Sequence, residues 1–135
     1  MLNCIILQGR LKAAPELRHT QTGTPVATST LAVSRNRKNP NGEYPTDWIE
    51  LVFWGKTAEH ASRWFNKGDM AVVRGRLESR DWEDKNGNKR RSWEVQVETI
   101  DFCGSKNENK AATRSHNVES NDFTELSESD DDVPF

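Results

Sequence analysis

Residues at alternate positions of an extended chain share a face. The run Thr46 to Trp54 therefore separates into Ile49, Leu51 and Phe53 on one side and Trp48, Glu50, Val52 and Trp54 on the other. The all-apolar set suits a core, which leaves two indoles facing outward, where large flat apolar groups are unusual unless something covers them. The run Met70 to Trp82 divides in the same way, with Ala71, Val73, Gly75 and Leu77 inward and Arg74, Arg76, Arg80 and Trp82 outward. Guanidinium groups follow a chain of phosphates and indoles stack on flat heterocycles. The two together suit a ligand that offers both, a single-stranded nucleic acid. Arg35, Arg37, Lys38 and Tyr44 beside one turn, Lys85, Lys89, Arg90 and Arg91 beside another, and Lys56 just past Trp54 extend the basic and aromatic track.

Two other tryptophans read differently. Trp93 falls in phase with Val95 and Val97, and Trp64 and Phe65 fit a helix-to-sheet contact, so these three are expected in the core. No phosphate-cradling Gly-x-x-x-x-Gly-Lys loop, His-Glu-x-x-His or Gly-x-Ser-x-Gly elbow occurs, and no catalytic role is expected. Cys4 and Cys103 stand far apart with no histidine beside them, and His19, His60 and His116 are scattered, so neither a metal nor another cofactor is expected.

Short strands must position these groups. Apolar alternation bounded by turn residues predicts strands over Asn3 to Leu11, Val26 to Arg35, Thr46 to Trp54, Met70 to Trp82 and Arg90 to Asp101. Ala58, Ala61, Trp64 and Phe65 recur at helical spacing, which predicts a helix over Thr57 to Asn66 that stops at Lys67-Gly68-Asp69. Asn39-Pro40-Asn41-Gly42 and Asp84-Lys85-Asn86-Gly87-Asn88 read as exposed hairpin turns. An all-β fold follows: a five-stranded Greek-key OB barrel with one short helix between the third and fourth strands, a fold that offers a strand face and its loops to oligonucleotides or oligosaccharides.

The formal net charge of −2 conceals a division. Residues 1–104 hold 16 Lys and Arg against 13 Asp and Glu, net +3, whereas residues 105–135 hold 3 against 8, net −5. The first part is the expected binding domain. In the second, apolar periodicity disappears and Ser, Asn, Glu and Asp dominate, so a disordered acidic tail is expected. Its end, Asp130, Asp131, Asp132, Val133, Pro134 and Phe135, sets three carboxylates beside a hydrophobic tip, which suits either partner docking or simple solubility. With 33% hydrophobic residues and no long apolar run, no membrane span is expected; Met1 to Leu11 does not read as a signal peptide, so a cytoplasmic location is.

Over about Leu2 to Cys103, and again at the last six residues, the chain resembles the bacterial and phage single-stranded DNA-binding protein family. The stretches that carry the resemblance are Asn3 to Leu11, Pro15 to Arg18, Val26-Ala27-Thr28, Trp48 to Lys56 with Ala58-Glu59, Lys67-Gly68-Asp69, Gly75-Arg76-Leu77, Arg80-Asp81-Trp82 and the terminal Asp-Asp-Asp-Val-Pro-Phe. The resemblance implies a homotetramer, nucleoid-associated, around which single strands wrap during DNA replication, recombination and repair. It also implies that the tip docks on proteins of those processes and that Trp48, Trp54 and Trp82 stack on bases. Where the family carries a further aromatic at the end of the second strand, this chain has Arg37, so that platform is lost or replaced by Tyr44 or by the guanidinium. Ala14 and Val133 are smaller departures. Two other readings stay open: an OB-fold accessory protein that uses the same surface for protein contacts, and a cold-shock-like RNA binder.

Overall fold

The computed structural model describes residues 1–104. The expected tail and its tip, Asp130 to Phe135, lie outside the described residues. Strands β1 (Ile5–Leu11), β2 (Glu16–His19), β3 (Pro25–Ser34) and β4 (Thr46–Trp54) precede helix α1 (Gly55–Trp64), and β5 (Met70–Glu83) and β6 (Lys89–Phe102) follow it. β1 pairs with β5, β5 with β6, β6 with β4, β4 with β3, and β3 returns to β1, closing a ring of five strands. All of these pairs are antiparallel except β4 with β6. This is the OB barrel expected from the order of elements, with the helix in its expected place.

The sixth strand, β2, is not in that expectation. It is four residues long, exposed throughout, and shows no apolar alternation from which to read it. It lies on the same edge of β3 as β1, pairing with Pro25 to Thr28 where β1 pairs with Leu31 and Ala32. β1 and β2 are thus one strand interrupted at Lys12 to Pro15. The interruption is satisfied locally: the inward-facing Ser29 hydroxyl donates to the Ala13 carbonyl at 2.8 Å and the Lys12 N–H donates to Thr30 O at 2.8 Å. β1 itself begins at Ile5 rather than Asn3, because the Asn3 side chain takes over the ladder, donating to Leu77 O at 2.9 Å and accepting from Leu77 N at 3.0 Å.

The core is the set that alternation selects. Leu11, Ala27, Leu31, Leu51, Phe53, Ala71, Val73, Val95, Val97 and Ile100 fill the barrel, and Ala58, Ala61 and Phe65 close one end. Val97 and Ile100 are three apart yet both inward, because the β5–β6 register shifts between Arg74 and Gly75 and a bulge flips the phase of β6. Gly75 makes this possible, since a Cβ there would run into the carbonyl of Gln96.

Three expected core residues are corrected. β5 and β6 continue past the barrel as a two-stranded arm, so the inward phase runs out of core to face: Val95 is buried, but Leu77 is partly exposed and Trp93 is 56% exposed. The helix spans Gly55–Trp64, two residues earlier than expected, because β4 runs straight into it. Phe65 leaves the helix in an extended conformation and turns inward, whereas Trp64 stays on the helix flank, 48% exposed. No helix among the described residues is long and apolar enough to cross a membrane.

Three hairpins close on one five-residue design, over Thr20 to Thr24, Asn39 to Glu43 and Asp84 to Asn88. In each, a side-chain oxygen of the first residue accepts the N–H of the fifth, at 3.1, 2.9 and 2.9 Å, and the first backbone carbonyl accepts the N–H of a glycine at the fourth place. That glycine has φ of 86°, 82° and 78°, a left-handed conformation that a side chain disfavours.

Candidate functional site

The β4–β6–β5 part of the outer surface gathers one phase of each strand. Glu50 and Val52 of β4 stand beside Glu94 and Gln96 of β6, which stand in turn beside Glu78 and Arg76 of β5. Trp54 continues the β4 row and Arg80 and Trp82 the β5 row, opposite Ser92 and Arg90. As alternation requires, Trp54 is 49% and Trp82 39% exposed.

Both indoles are held by their N–H. Trp54 Nε1 donates to Gln96 Oε1 at 2.7 Å, and Trp82 Nε1 donates to Ser92 Oγ at 2.7 Å. Gln96 donates onward to Glu94 Oε2 at 3.4 Å, and Glu94 Oε1 accepts from Arg80 Nε at 2.8 Å. A polar relay therefore joins an indole to a guanidinium across three strands. The anchors Ser92 and Gln96 are four residues apart, about 13 Å along β6. Trp82 stands between two concavities. One, of about 340 Å³, is lined by Glu50, Arg80, Ser92 and Glu94; the other, of about 560 Å³, by Asp81, Glu83, Lys89, Arg90 and Arg91.

The remaining candidates are spread more widely than the sequence suggests. Trp48 is 59% exposed but six residues from Trp54, at the end of β4 that pairs only with β3, and the Lys12 ammonium sits 5.3 Å from the centre of its ring. Tyr44 is 55% exposed in the β3–β4 loop, with the Lys38 ammonium 5.5 Å from its ring. Lys56 is on α1, in a separate recess with Glu59, His60, Arg63 and Trp64.

Most of the arginines are not bare cations. Arg35 is held bidentately by Asp47 at 2.8 and 2.9 Å, Arg74 lies 3.9 Å from Glu98, Arg76 3.0 Å from Glu78, Arg80 2.8 Å from Glu94, Arg90 3.1 Å from Asp84 and Arg91 2.8 Å from Asp81. These guanidiniums are all more than half exposed, so water weakens each pair. Hydrogen bonds from Arg35 and Arg91 hold the Asp47 and Asp81 carboxyls below their ordinary range. Asp84 is lowered first by the backbone N–H of Asn88 and further by Arg90. Arg37, Lys38, Lys56, Lys85 and Lys89 form no ion pair among the described residues.

Ser92, Glu94 and Gln96 were missed as site residues, although their phase, opposite to Val95 and Val97, already places them outward. Lys12 carried no comparable signal, because its contact with Trp48 depends on where the chain breaks after β1.

The sequence profile of the single-strand binding protein family matches residues 2–103. A protein named single-stranded DNA-binding protein 2 from Listeria monocytogenes serovar 1/2a is 42% identical over 119 residues, covering 88% of this chain and 74% of its own. Single-stranded DNA-binding protein 3 from Streptococcus agalactiae serotype V is 36% identical over 138 residues, covering the whole of both. A single-stranded DNA-binding protein from Staphylococcus aureus is 44% identical over 109 residues, covering 81% and 70%.

Proposed function

The chain belongs to the single-strand binding protein family, and on that premise we propose that it holds single-stranded DNA on the outer face of β4, β6 and β5. Bases stack on Trp54 and Trp82, and phosphates are drawn to the cations around them. The observation that carries this reading is the anchoring of both indoles. With each N–H already satisfied by Gln96 or Ser92, the rings are fixed in orientation, and little side-chain freedom is lost when a base lies on them. Stacking is tolerant of base identity and is worth about 1 to 3 kcal/mol per base.

The paired arginines suit exchange rather than permanent contact. Exposed ion pairs contribute about 0 to 1 kcal/mol, so a phosphate can take a guanidinium from its carboxylate, with counterion release from the DNA adding to the gain. Trp82 divides the work: the recess where Lys89, Arg90 and Arg91 outnumber Asp81 and Glu83 lies on one side for phosphate, and the recess with Ser92 and Glu50 lies on the other for a base.

The finer reading is that the chain, as a homotetramer in the nucleoid region of the cytoplasm, coats strands exposed during replication, recombination and repair, without catalysis. Partner proteins of those processes are recruited by Asp130 to Phe135. The support for the tip is its sequence, three carboxylates followed by a small hydrophobic end, which suits a basic-rimmed pocket. Titration of the full chain with oligothymidine tests the central claim. Tryptophan emission should be quenched and affinity should fall with salt; unchanged emission at saturation would remove the stacking platform.

A further inference from the structure

The turns of the β3–β4 loop and of the β5–β6 arm share a feature that stacking and phosphate contact do not use. The third place of each is an asparagine followed by the turn glycine, Asn41-Gly42 and Asn86-Gly87, whereas the turn between β2 and β3 has Thr22 there. These are the only Asn-Gly pairs in the chain. Both asparagines are exposed, and among the described residues neither side-chain amide makes a hydrogen bond. The space beside both glycines is open, with nothing within 4 Å of where a Cβ would stand. A backbone nitrogen with no side chain beside it can reach the preceding side-chain carbonyl carbon, and asparagine is then chemically labile. The closed turn opposes that step. Gly42 N–H donates to Asn39 O at 2.9 Å and Gly87 N–H to Asp84 O at 3.1 Å, so each nitrogen is engaged and its proton is held. The first turn residue also holds the asparagine backbone, since Asn41 N–H and Asn86 N–H donate at 3.0 Å to Asn39 Oδ1 and Asp84 Oδ1.

We propose that Asn41 and Asn86 are modification sites at which asparagine becomes aspartate or isoaspartate without an enzyme, at a rate set by the capping oxygen of the turn's first residue. When the turn opens, the glycine nitrogen gives its proton to solvent and attacks the asparagine Cγ. A C–N bond forms, the Cγ–Nδ2 bond breaks, and Nδ2 leaves as ammonia with a proton returned from solvent. Water then opens the five-membered imide at either carbonyl, restoring the chain as aspartate or rerouting it through the side chain as isoaspartate. Nothing is oxidised or reduced. Either product sets a new carboxylate beside Arg37 and Lys38 in the loop, or beside Lys85 and Lys89 in the arm. Isoaspartate also adds a methylene to a turn of fixed length. The consequence for DNA, which rests on the binding reading above, is a weaker hold by protein that has aged.

The test incubates the full chain without DNA in mildly alkaline buffer and follows each turn by peptide mass spectrometry, resolving aspartate and isoaspartate from asparagine. Both sites should convert, and faster in urea, where the turns are open. The two turns then control for each other. Asp84→Ala removes the arm's cap and should speed conversion at Asn86 severalfold while Asn41 is unchanged, and Asn39→Ala should do the reverse. Asp84→Asn keeps an acceptor and should hold Asn86 at the wild-type rate. A folded chain that converts at neither site overturns the proposal. Equal acceleration by Asp84→Asn and Asp84→Ala, or a cap variant that leaves its own turn at the wild-type rate, overturns control by the capping oxygen. Converted chain should bind oligothymidine about two- to fivefold more weakly than fresh chain, and equal binding overturns that consequence. Conversion is read without DNA, so its failure leaves the DNA-binding reading standing; fresh chain that does not bind overturns that reading and leaves the modification sites in place.

Discussion

The β3–β4 loop and the β5–β6 arm close on the same five-residue turn and carry their charge in opposite ways. In the loop the first turn residue is the neutral Asn39, and Arg37 and Lys38 form no ion pair among the described residues. In the arm the same place is Asp84, whose Oδ1 supports the turn while Oδ2 accepts from Arg90 at 3.1 Å, and Arg80 and Arg91 are paired across the strands. The backbone geometry requires only an acceptor. The second oxygen of aspartate adds a lock on a cation that could otherwise meet phosphate. Among the described residues, the loop leaves Arg37 and Lys38 without a carboxylate and pairs only Arg35 at its base, whereas the arm covers its arginines and leaves only Lys85 and Lys89 open.

The largest expected break in this comparison is aromatic. Trp82→Ala, in the arm, should weaken oligothymidine binding by about 1 to 3 kcal/mol in a fluorescence titration. Tyr44→Ala, in the loop, should cost clearly less, because Lys38 already lies over its ring. Equal losses would show the loop to be as much a platform as the arm.

Next in size is the turn itself. Asp84→Ala removes the acceptor for two backbone N–H groups and should loosen the arm's turn, read as faster hydrogen exchange at Asn86 and Asn88. Asp84→Asn keeps an acceptor, as Asn39 does in the loop, and should leave exchange unchanged. The same variant uncovers Arg90 without adding a phosphate contact, so affinity should rise while the slope of log affinity against log salt stays the same. Lys38→Ala in the loop removes a contact and should flatten that slope by about 0.7.

The smallest expected effect is that of pH. The carboxyls of Asp47, Asp81 and Asp84 are lowered, so their pairs are intact above the ordinary carboxylate range and are lost only as pH falls through the lowered values. Between about pH 8 and pH 5 these locks should not change, and DNA affinity should be flat as far as they are concerned. Only below the ordinary carboxylate range, as pH falls through the lowered values, are the arginines released and the arm's turn left without support.

What the sequence discloses here is whatever alternation and turn chemistry fix locally. Leu51 and Phe53 against Trp48 and Trp54, the two Asx-Gly turns, and the helix after Trp54 are all decided within a few residues. Trp93 misleads because phase says which way a side chain points but not whether the barrel is still beneath it. β2 is hidden because Glu16 to His19 buries nothing. The covering of the arginines could not be read, since Arg80 and Glu94, or Arg91 and Asp81, meet only once the β5–β6 register is known. The bulge that aligns Val97 with Ile100 depends on the same register.

The closure of the ring also has a consequence in time. β1 finds its long ladder on β5, where Ile5 meets Gly75, and touches β3 through only two residue pairs. As the chain is synthesised, the first strand made has almost nothing to pair with until the fifth has emerged. Contacts so distant in sequence make closure slow. The N-terminal segment, with Ile6 and Leu7 in it, is the stretch of this domain that waits longest for its place.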